Sequence, residues 1–344
     1  MTPSTAQLAV PQPVLDELEA HGLPIAETIA AVEERLRGQV ASNHAFMQQA
    51  ARYLMDAGGK RFRPMMVALS SHLGDTRGPE IAEAGVIVEL VHLATLYHDD
   101  VIDEATARRG TPSANLRWDN TVSILTGDYL FARASALSAD LGVEVTRIMA
   151  QTIAQLCEGQ IQEVQGSFGA LPPDVPRLEA TVDHYINVIG GKTASLIASS
   201  CRLGALLSGC TPDEVEAATR YGWDVGLAFQ MSDDLLDITS DQQDSGKTPG
   251  TDLLEGVRTL PILFAIETDA DGELTKLVEI GPELQPAQIA RALELLRGSD
   301  AMTRARDVAS EYVATASAEL EMFGDRPVVK ALTRLAEYAV DRVG

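Results

Sequence analysis

Leu90-Val91-His92-Leu93-Ala94-Thr95-Leu96-Tyr97-His98-Asp99-Asp100-Val101-Ile102-Asp103 sets an apolar run directly before three aspartates. Apolar side chains recur at Ile87, Leu90, Val91, Ala94 and Tyr97, the three-and-four spacing of a buried helix face. On such a helix Asp99 and Asp103 lie one turn apart on the same side, with Asp100 beside them. Like charges gathered there cost free energy unless a cation stands between them. A charge run is usually a solvated face, but the residues before this one are those of a core.

The pattern recurs. Phe229-Gln230-Met231-Ser232 leads into Asp233-Asp234-Leu235-Leu236-Asp237, again at the end of an apolar helical stretch. Carboxylates with no His or Cys pair nearby are hard oxygen ligands, the set Mg²⁺ prefers when it also binds substrate phosphates. Cations stand close to both clusters. Arg108 and Arg109 follow the first, and Gly58-Gly59-Lys60-Arg61-Phe62-Arg63-Pro64 is a glycine-led turn with three more. Gly190-Gly191-Lys192-Thr193 reads as the opening of a helix, where free N–H groups would bind an anion. Gly246-Lys247 lies in a long loop, Thr239 to Thr259, after the second cluster.

The rest of the 344 residues supports a helical globular protein: 45% are hydrophobic, 22% charged and only 5% aromatic. Fifty acidic against 27 basic residues give a net charge of −23, the wrong sign for a general nucleic-acid binder. An anionic substrate must therefore meet local clusters of cations. Three cysteines, Cys157, Cys201 and Cys210, make no disulfide framework and suit a reducing compartment. Met1 to Pro13 shows no basic region followed by an apolar run, and the apolar stretches 81–98 and 193–209 are interrupted by Glu83, Glu89, His92 and Arg202. A cytoplasmic protein without a transmembrane segment is expected. Thr211-Pro212-Asp213-Glu214 offers a helix start and Gly298 a helix stop. Pro172-Pro173 marks a connection. No alternating strand pattern is found. The expectation is a flexible tail over residues 1–12 and a single all-α domain over 13–344, with a dozen or more helices.

The stretches GGKRFRP (58–64), HLATLYHDDVIDEATARRG (92–110), GDYL (127–130), GGKTASL (190–196), GLAFQMSDDLLD (226–237) and GKTPGTDLLEGVRTLP (246–261) resemble, in order, the signature of the trans-isoprenyl diphosphate synthases. The similarity runs from about residue 45 to the C-terminus. Arg258 stands where that family often has Lys, so a cation is kept.

The resemblance implies a helical isoprenoid-synthase-like bundle around a central cavity. It also implies a Mg²⁺-dependent prenyltransferase that joins isopentenyl diphosphate head-to-tail to an allylic diphosphate. Asp99, Asp103 and Asp233 would hold metal most directly, with Asp100 and Asp237 in support. Arg108, Lys192, Thr193, Gln230 and Lys247 match positions near the allylic diphosphate, and Lys192 is counted with the catalytic aspartates. Lys60, Arg63, His92 and Arg109 match those holding isopentenyl diphosphate. The family implies a homodimer, with transient membrane contact when an apolar product leaves.

Five and four residues before Asp99 stand Ala94 and Thr95, where short-chain members often carry an aromatic residue. The small pair leaves space towards Val91 and Val88. This resembles the long-chain type, with C30–C50 products for quinone side chains. The alternatives are a short-chain farnesyl or geranylgeranyl diphosphate synthase and a class I terpene cyclase. The cyclases have an Asn/Ser/Glu metal motif in place of Asp233 to Asp237 and lack GGKRFRP. A regulatory partner subunit would lack the aspartate clusters. A carboxylate-bridged two-metal bundle needs a second ExxH besides Glu89-x-x-His92, and none is present.

Overall fold

Apolar residues on every side of one helix organise the first half of the chain. The structure, a computed structural model, describes residues 18–167, 174–239 and 249–341. The tail 1–12, Pro172-Pro173 and Lys247 lie outside them. The chain divides into two compact units. The first contains the described residues up to Ile153 with Leu196–Gly222 and Glu319–Thr333; the second contains Ala154–Ser195, Trp223–Ala318 and the described residues from Arg334 on.

In the first unit, α1 (Ile25–Gln39), α2 (Ala45–Asp56) and α3 (Phe62–Ser70) precede the long α4 (Glu80–Ile102). A two-residue hairpin, β1 (Ala107–Arg108) with β2 (Thr111–Pro112), leads through the short α5 (Ala114–Arg117) to α6 (Asn120–Asp140). α4 packs on α1, α3 and α6. Its Val86, Ile87, Val88, Leu90, Val91, Leu93, Ala94 and Tyr97 have no exposed surface. Each large aliphatic side chain buried there contributes roughly 1.5–3 kcal/mol. This is the helix whose length and apolar character would suffice to cross a membrane, and 72% of that stretch is buried inside the protein. A helix apolar all round is a core helix when protein surrounds it.

Two contacts fix α4. Tyr97 donates its hydroxyl to the carbonyl of Ala50 and accepts from the amide of Leu54 at 3.2 Å, which ties α2 to it. At Gly127 of α6 an added Cβ would lie 2.3 Å from the His98 ring, so only glycine admits that close approach. His98 Nε2 then reaches the Ile124 carbonyl at 3.1 Å.

Helices α7 (Val143–Gly166), α8 (Val182–Ile189), α9 (Ser195–Leu207) and α10 (Pro212–Thr239) follow. Then come α11 (Thr251–Glu255), α12 (Leu260–Glu267), α13 (Glu273–Ile280), α14 (Pro286–Arg297), α15 (Ala301–Glu319) and α16 (Pro327–Asp341). In the second unit α12 packs on α8, α13 and α14. The expected start of α10 is present: Glu214 accepts from the Thr211 amide at 2.8 Å, and Thr211 Oγ1 accepts from the Glu214 amide at 3.4 Å. Gly298 caps α14 as expected. The fold is all-α, as the periodicity predicts. No loop composition marks the unit boundaries because each falls inside a helix.

Replacing Tyr97 with Phe strands the Ala50 carbonyl and the Leu54 amide in the core. That should lower stability by about 1–3 kcal/mol, read from urea unfolding by circular dichroism.

Candidate active site

Asp99 and Asp103, about one turn apart, stand at the C-terminal end of α4, both half-buried. Asp103 is the C-cap, its amide bonded to the Asp99 carbonyl at 2.8 Å. Carboxylates at a helix C-terminus oppose the macrodipole, so cations must offset them. The hairpin supplies one. Its turn residues Arg109 and Gly110 both have positive φ, +52° and +74°, the left-handed pair of a two-residue hairpin. Arg108 therefore turns one way and Arg109 the other.

Arg108 Nε donates to Asp100 at 2.7 Å, and its Nη2 stands 3.9 Å from Asp103. Burial opposes the Arg108 charge, but Asp100, Asp99 and Asp103 outweigh it and raise the pKa. The second Asp100 oxygen accepts from the Ala114 amide at 3.2 Å, and the residue has no exposed surface. Both oxygens of Asp100, expected as a supporting metal residue, are therefore engaged by protein groups. Asp100 thus faces the hairpin and α5, and its neighbour Asp99 is set about 100° away around the helix.

Arg109 is held by carbonyls, donating to Leu54 O at 2.9 Å and to Gly58 O. Lys60 is exposed and Arg63 half-buried, on the glycine-led turn and the start of α3. Half-buried His92 and Thr95 share the side of α4 that ends in Asp99. Burial, then the nearby Arg63, Arg109, Arg61 and Arg108, hold the His92 imidazole well below its usual pKa, so the ring is neutral. Val91 and Ala94 lie on the packed side, without exposed surface.

In the second unit, Lys192 and Thr193 lie on a π-helical turn, Gly190–Ala194, that joins α8 to α9 without a break. The expected helix start at Gly190 is absent, and with it the free N–H groups. The glycines serve close packing instead: a Cβ at Gly159 of α7 would lie 2.5 Å from the Lys192 amide nitrogen. Single π turns of this kind often mark functional sites. Lys192 pairs with Glu163 of α7.

Thr193 Oγ1 donates to Gln230 Oε1 at 2.8 Å, and Gln230 Nε2 donates to Asp234 Oδ1 at 2.8 Å. Tyr185 donates to the other Asp234 oxygen at 2.6 Å. Burial, then the Asp233 and Glu163 charges, against the hydrogen bonds from Tyr185 and Gln230, push the Asp234 carboxyl up to about 7. Asp233 and Asp237 are half-buried. Asp237 accepts from the amides of Thr251 and Asp252, both at 3.2 Å, and so starts α11.

Glu163, Tyr185 and Asp252 were not found by sequence reading. Glu163 and Tyr185 stand in ordinary helix patterns and gave no signal. Asp252 lies in the GTDLLEG stretch that carries the resemblance. Its Oδ2 is buried with no hydrogen-bond partner. Burial, then Asp234, Asp237, Glu255 and Glu163, raise its pKa well above the ordinary range. Buried acids gathered in this way are a donor set for hard cations. Among the described residues no three His, Cys, Asp or Glu side chains already form a metal cage. Carboxylates that supply only part of a coordination shell suit an ion completed by phosphate oxygens and water.

The sequence profile of the polyprenyl synthetase family matches residues 44–296. The chain belongs to this family. A nonaprenyl diphosphate synthase of Mycobacterium tuberculosis is 44% identical over 318 residues, 92% of each chain. A polyprenyl synthase of Caulobacter crescentus, solved with calcium and isoprenyl diphosphate, superposes with a TM-score of 0.87 at 33% identity, covering 96% of this chain and 98% of that one. A geranylgeranyl pyrophosphate synthase of Corynebacterium glutamicum gives 0.80 at 39% identity over 98% and 99%. These polyprenyl synthetase family members share the fold while bearing names of different products.

The raised Asp234 pKa predicts a pH dependence. The folded protein keeps a proton there that the unfolded chain loses near pH 4, so stability contributed by this group is full below about pH 4 and is lost as pH rises towards 7. Urea unfolding in excess chelator at pH 5 and pH 7 should show this loss, and Asp234→Asn should reduce it.

Proposed function

We propose that the chain is a polyprenyl diphosphate synthase that extends an allylic diphosphate with isopentenyl diphosphate, head-to-tail, to a long product. The observation that carries this is the pairing of carboxylates with cations in both units. Asp99 and Asp103 stand beside Arg108, and in the second unit Lys192 pairs with Glu163 while Thr193 and Gln230 lead to Asp234, the neighbour of Asp233. The family match and the identity to a nonaprenyl diphosphate synthase support the long-chain reading.

In the first unit Asp99 and Asp103 would hold Mg²⁺, and in the second Asp233 would do so, with Asp237 and Asp252 close to that second motif. An ion held there would supply neutralisation of charge on the departing diphosphate. Arg108 and Lys192 are already aligned with acids and are placed to take up phosphate oxygens. The allylic C–O bond breaks, the double bond of isopentenyl diphosphate attacks the cation, and a proton leaves to the released diphosphate. No side-chain nucleophile is needed. Neutral His92 can donate a hydrogen bond without adding charge to a site already crowded with arginines.

Product length follows from α4. The substrate's diphosphate stays anchored at the aspartates, so the chain grows past Thr95, which is small. A homodimer is supported by α6. Its outward face carries Ile124, Leu125, Ala132 and Ala136, with Ile124 44% and Leu125 52% exposed.

Two expectations test the reading. Asp99→Ala, Asp103→Ala and Asp233→Ala should each lower turnover by about 10²-fold or more with unchanged circular dichroism, and Mg²⁺ should restore activity removed by chelation. Near-normal rates in two of the three would refute the carboxylate roles. Thr95→Phe should place a ring in the path of the chain and shift labelled products from C30–C50 to C15–C20. Ala94→Tyr would instead overpack a buried position on the packed side of α4, at about 1–3 kcal/mol, so Thr95 is the position that tests product length.

A further inference from the structure

Glu89 of α4 is an acid that the aspartate motifs do not explain. It is 1% exposed, three helical turns before Asp99. Its carboxylate meets two guanidiniums, Arg61 Nη1 at 2.8 Å and Arg109 Nη2 at 4.0 Å. Arg61 is 3% exposed and gives its Nε to Glu33 of α1. It therefore points inward, between exposed Lys60 and half-buried Arg63.

The local backbone is bent around this contact. Arg61 and Arg109 both adopt left-handed φ, +48° and +52°, Arg109 as part of the hairpin turn and Arg61 ahead of α3. Gly59 has φ +149°, and a Cβ there would lie 2.6 Å from Arg61 Nη1 and 2.9 Å from Arg109 Cζ. The two guanidiniums thus crowd one point. Burial, Arg61 and Arg108 all work against the Arg109 charge, and Glu89 is the group that most favours it. Glu89 is itself unsuited to touch a diphosphate, since both are anionic.

We propose that Glu89 is a positioning residue for isopentenyl diphosphate. Through Arg61 it fixes the Gly58–Pro64 turn that presents Lys60 and Arg63, and through Arg109 it fixes the hairpin residue bonded to that same turn. This rests on the reading above, in which Lys60, Arg63 and Arg109 hold that substrate.

Glu89→Gln keeps the shape and an acceptor oxygen while removing the charge. With the full chain, Mg²⁺ and farnesyl diphosphate as primer, it should raise KM for isopentenyl diphosphate about tenfold or more. KM for the primer and kcat should stay within about twofold, with circular dichroism unchanged. Glu89→Asp should fall between Glu89→Gln and the wild type. Equal changes in both KM values, or none, would overturn the proposal and leave Glu89 a fold residue. If Glu89→Gln does not fold, Gly59→Ala disturbs the same arginine pair from the other side. It should give the same selective rise, and an unselective one overturns the proposal. A wild-type chain that elongates no allylic primer would instead overturn the underlying substrate reading.

Discussion

Negative charge at the C-terminal ends of α4 and α10 is the constraint that the rest of the structure answers. Backbone carbonyls already make those ends negative, and each carries aspartates in a chain of net charge −23. An anionic substrate could not approach them without cations. The basic residues nearby are accordingly paired before any substrate arrives: Arg108 with Asp100, Lys192 with Glu163, Arg61 with Glu89 and Glu33. Such pairs keep the cations ordered at little further cost in side-chain entropy.

Within each motif the two adjacent aspartates divide the work. Asp99 and Asp233 are half-buried, whereas Asp100 and Asp234 are almost wholly buried. Asp100 holds the hairpin and α5 through Arg108 and the Ala114 amide. Asp234 holds Tyr185 and Gln230, and through Gln230 it reaches Thr193. One carboxylate of each pair builds the wall against which the other is presented. The 100° step between neighbours on a helix is what makes this division possible.

The helices, the capping at Thr211 and the two acidic clusters were legible in the sequence because they rest on local patterns. Spacing of apolar residues and short motifs carry that information. Side-chain direction was less legible: Asp100 is indistinguishable from Asp99 until the hairpin packs beside it. The turn at Gly190 misled for a related reason. Two glycines before Lys192 look like a break, yet the helix continues through a π turn, since Gly159 lets α7 approach the Lys192 backbone. Glu163 and Tyr185 act through contacts distant in sequence, which no local pattern encodes.

The two sides of α4 differ, because one helix is core on one side and half-buried on the other. Its Val88, Val91 and Ala94 are fully packed, so enlarging them strains the helices around them. His92, Thr95 and Asp99 form the half-buried stripe on the other side. Of these, His92 stands among arginines and Asp99 among the charges of the motif. Thr95 bonds only locally, its hydroxyl donating to the His92 carbonyl at 2.8 Å, a bond that can be lost without stranding a buried group elsewhere. It is therefore the position on this helix where side-chain size can change at least cost to the fold. The helix is fixed by its packed side, and the half-buried side is the one left open to variation in side-chain size.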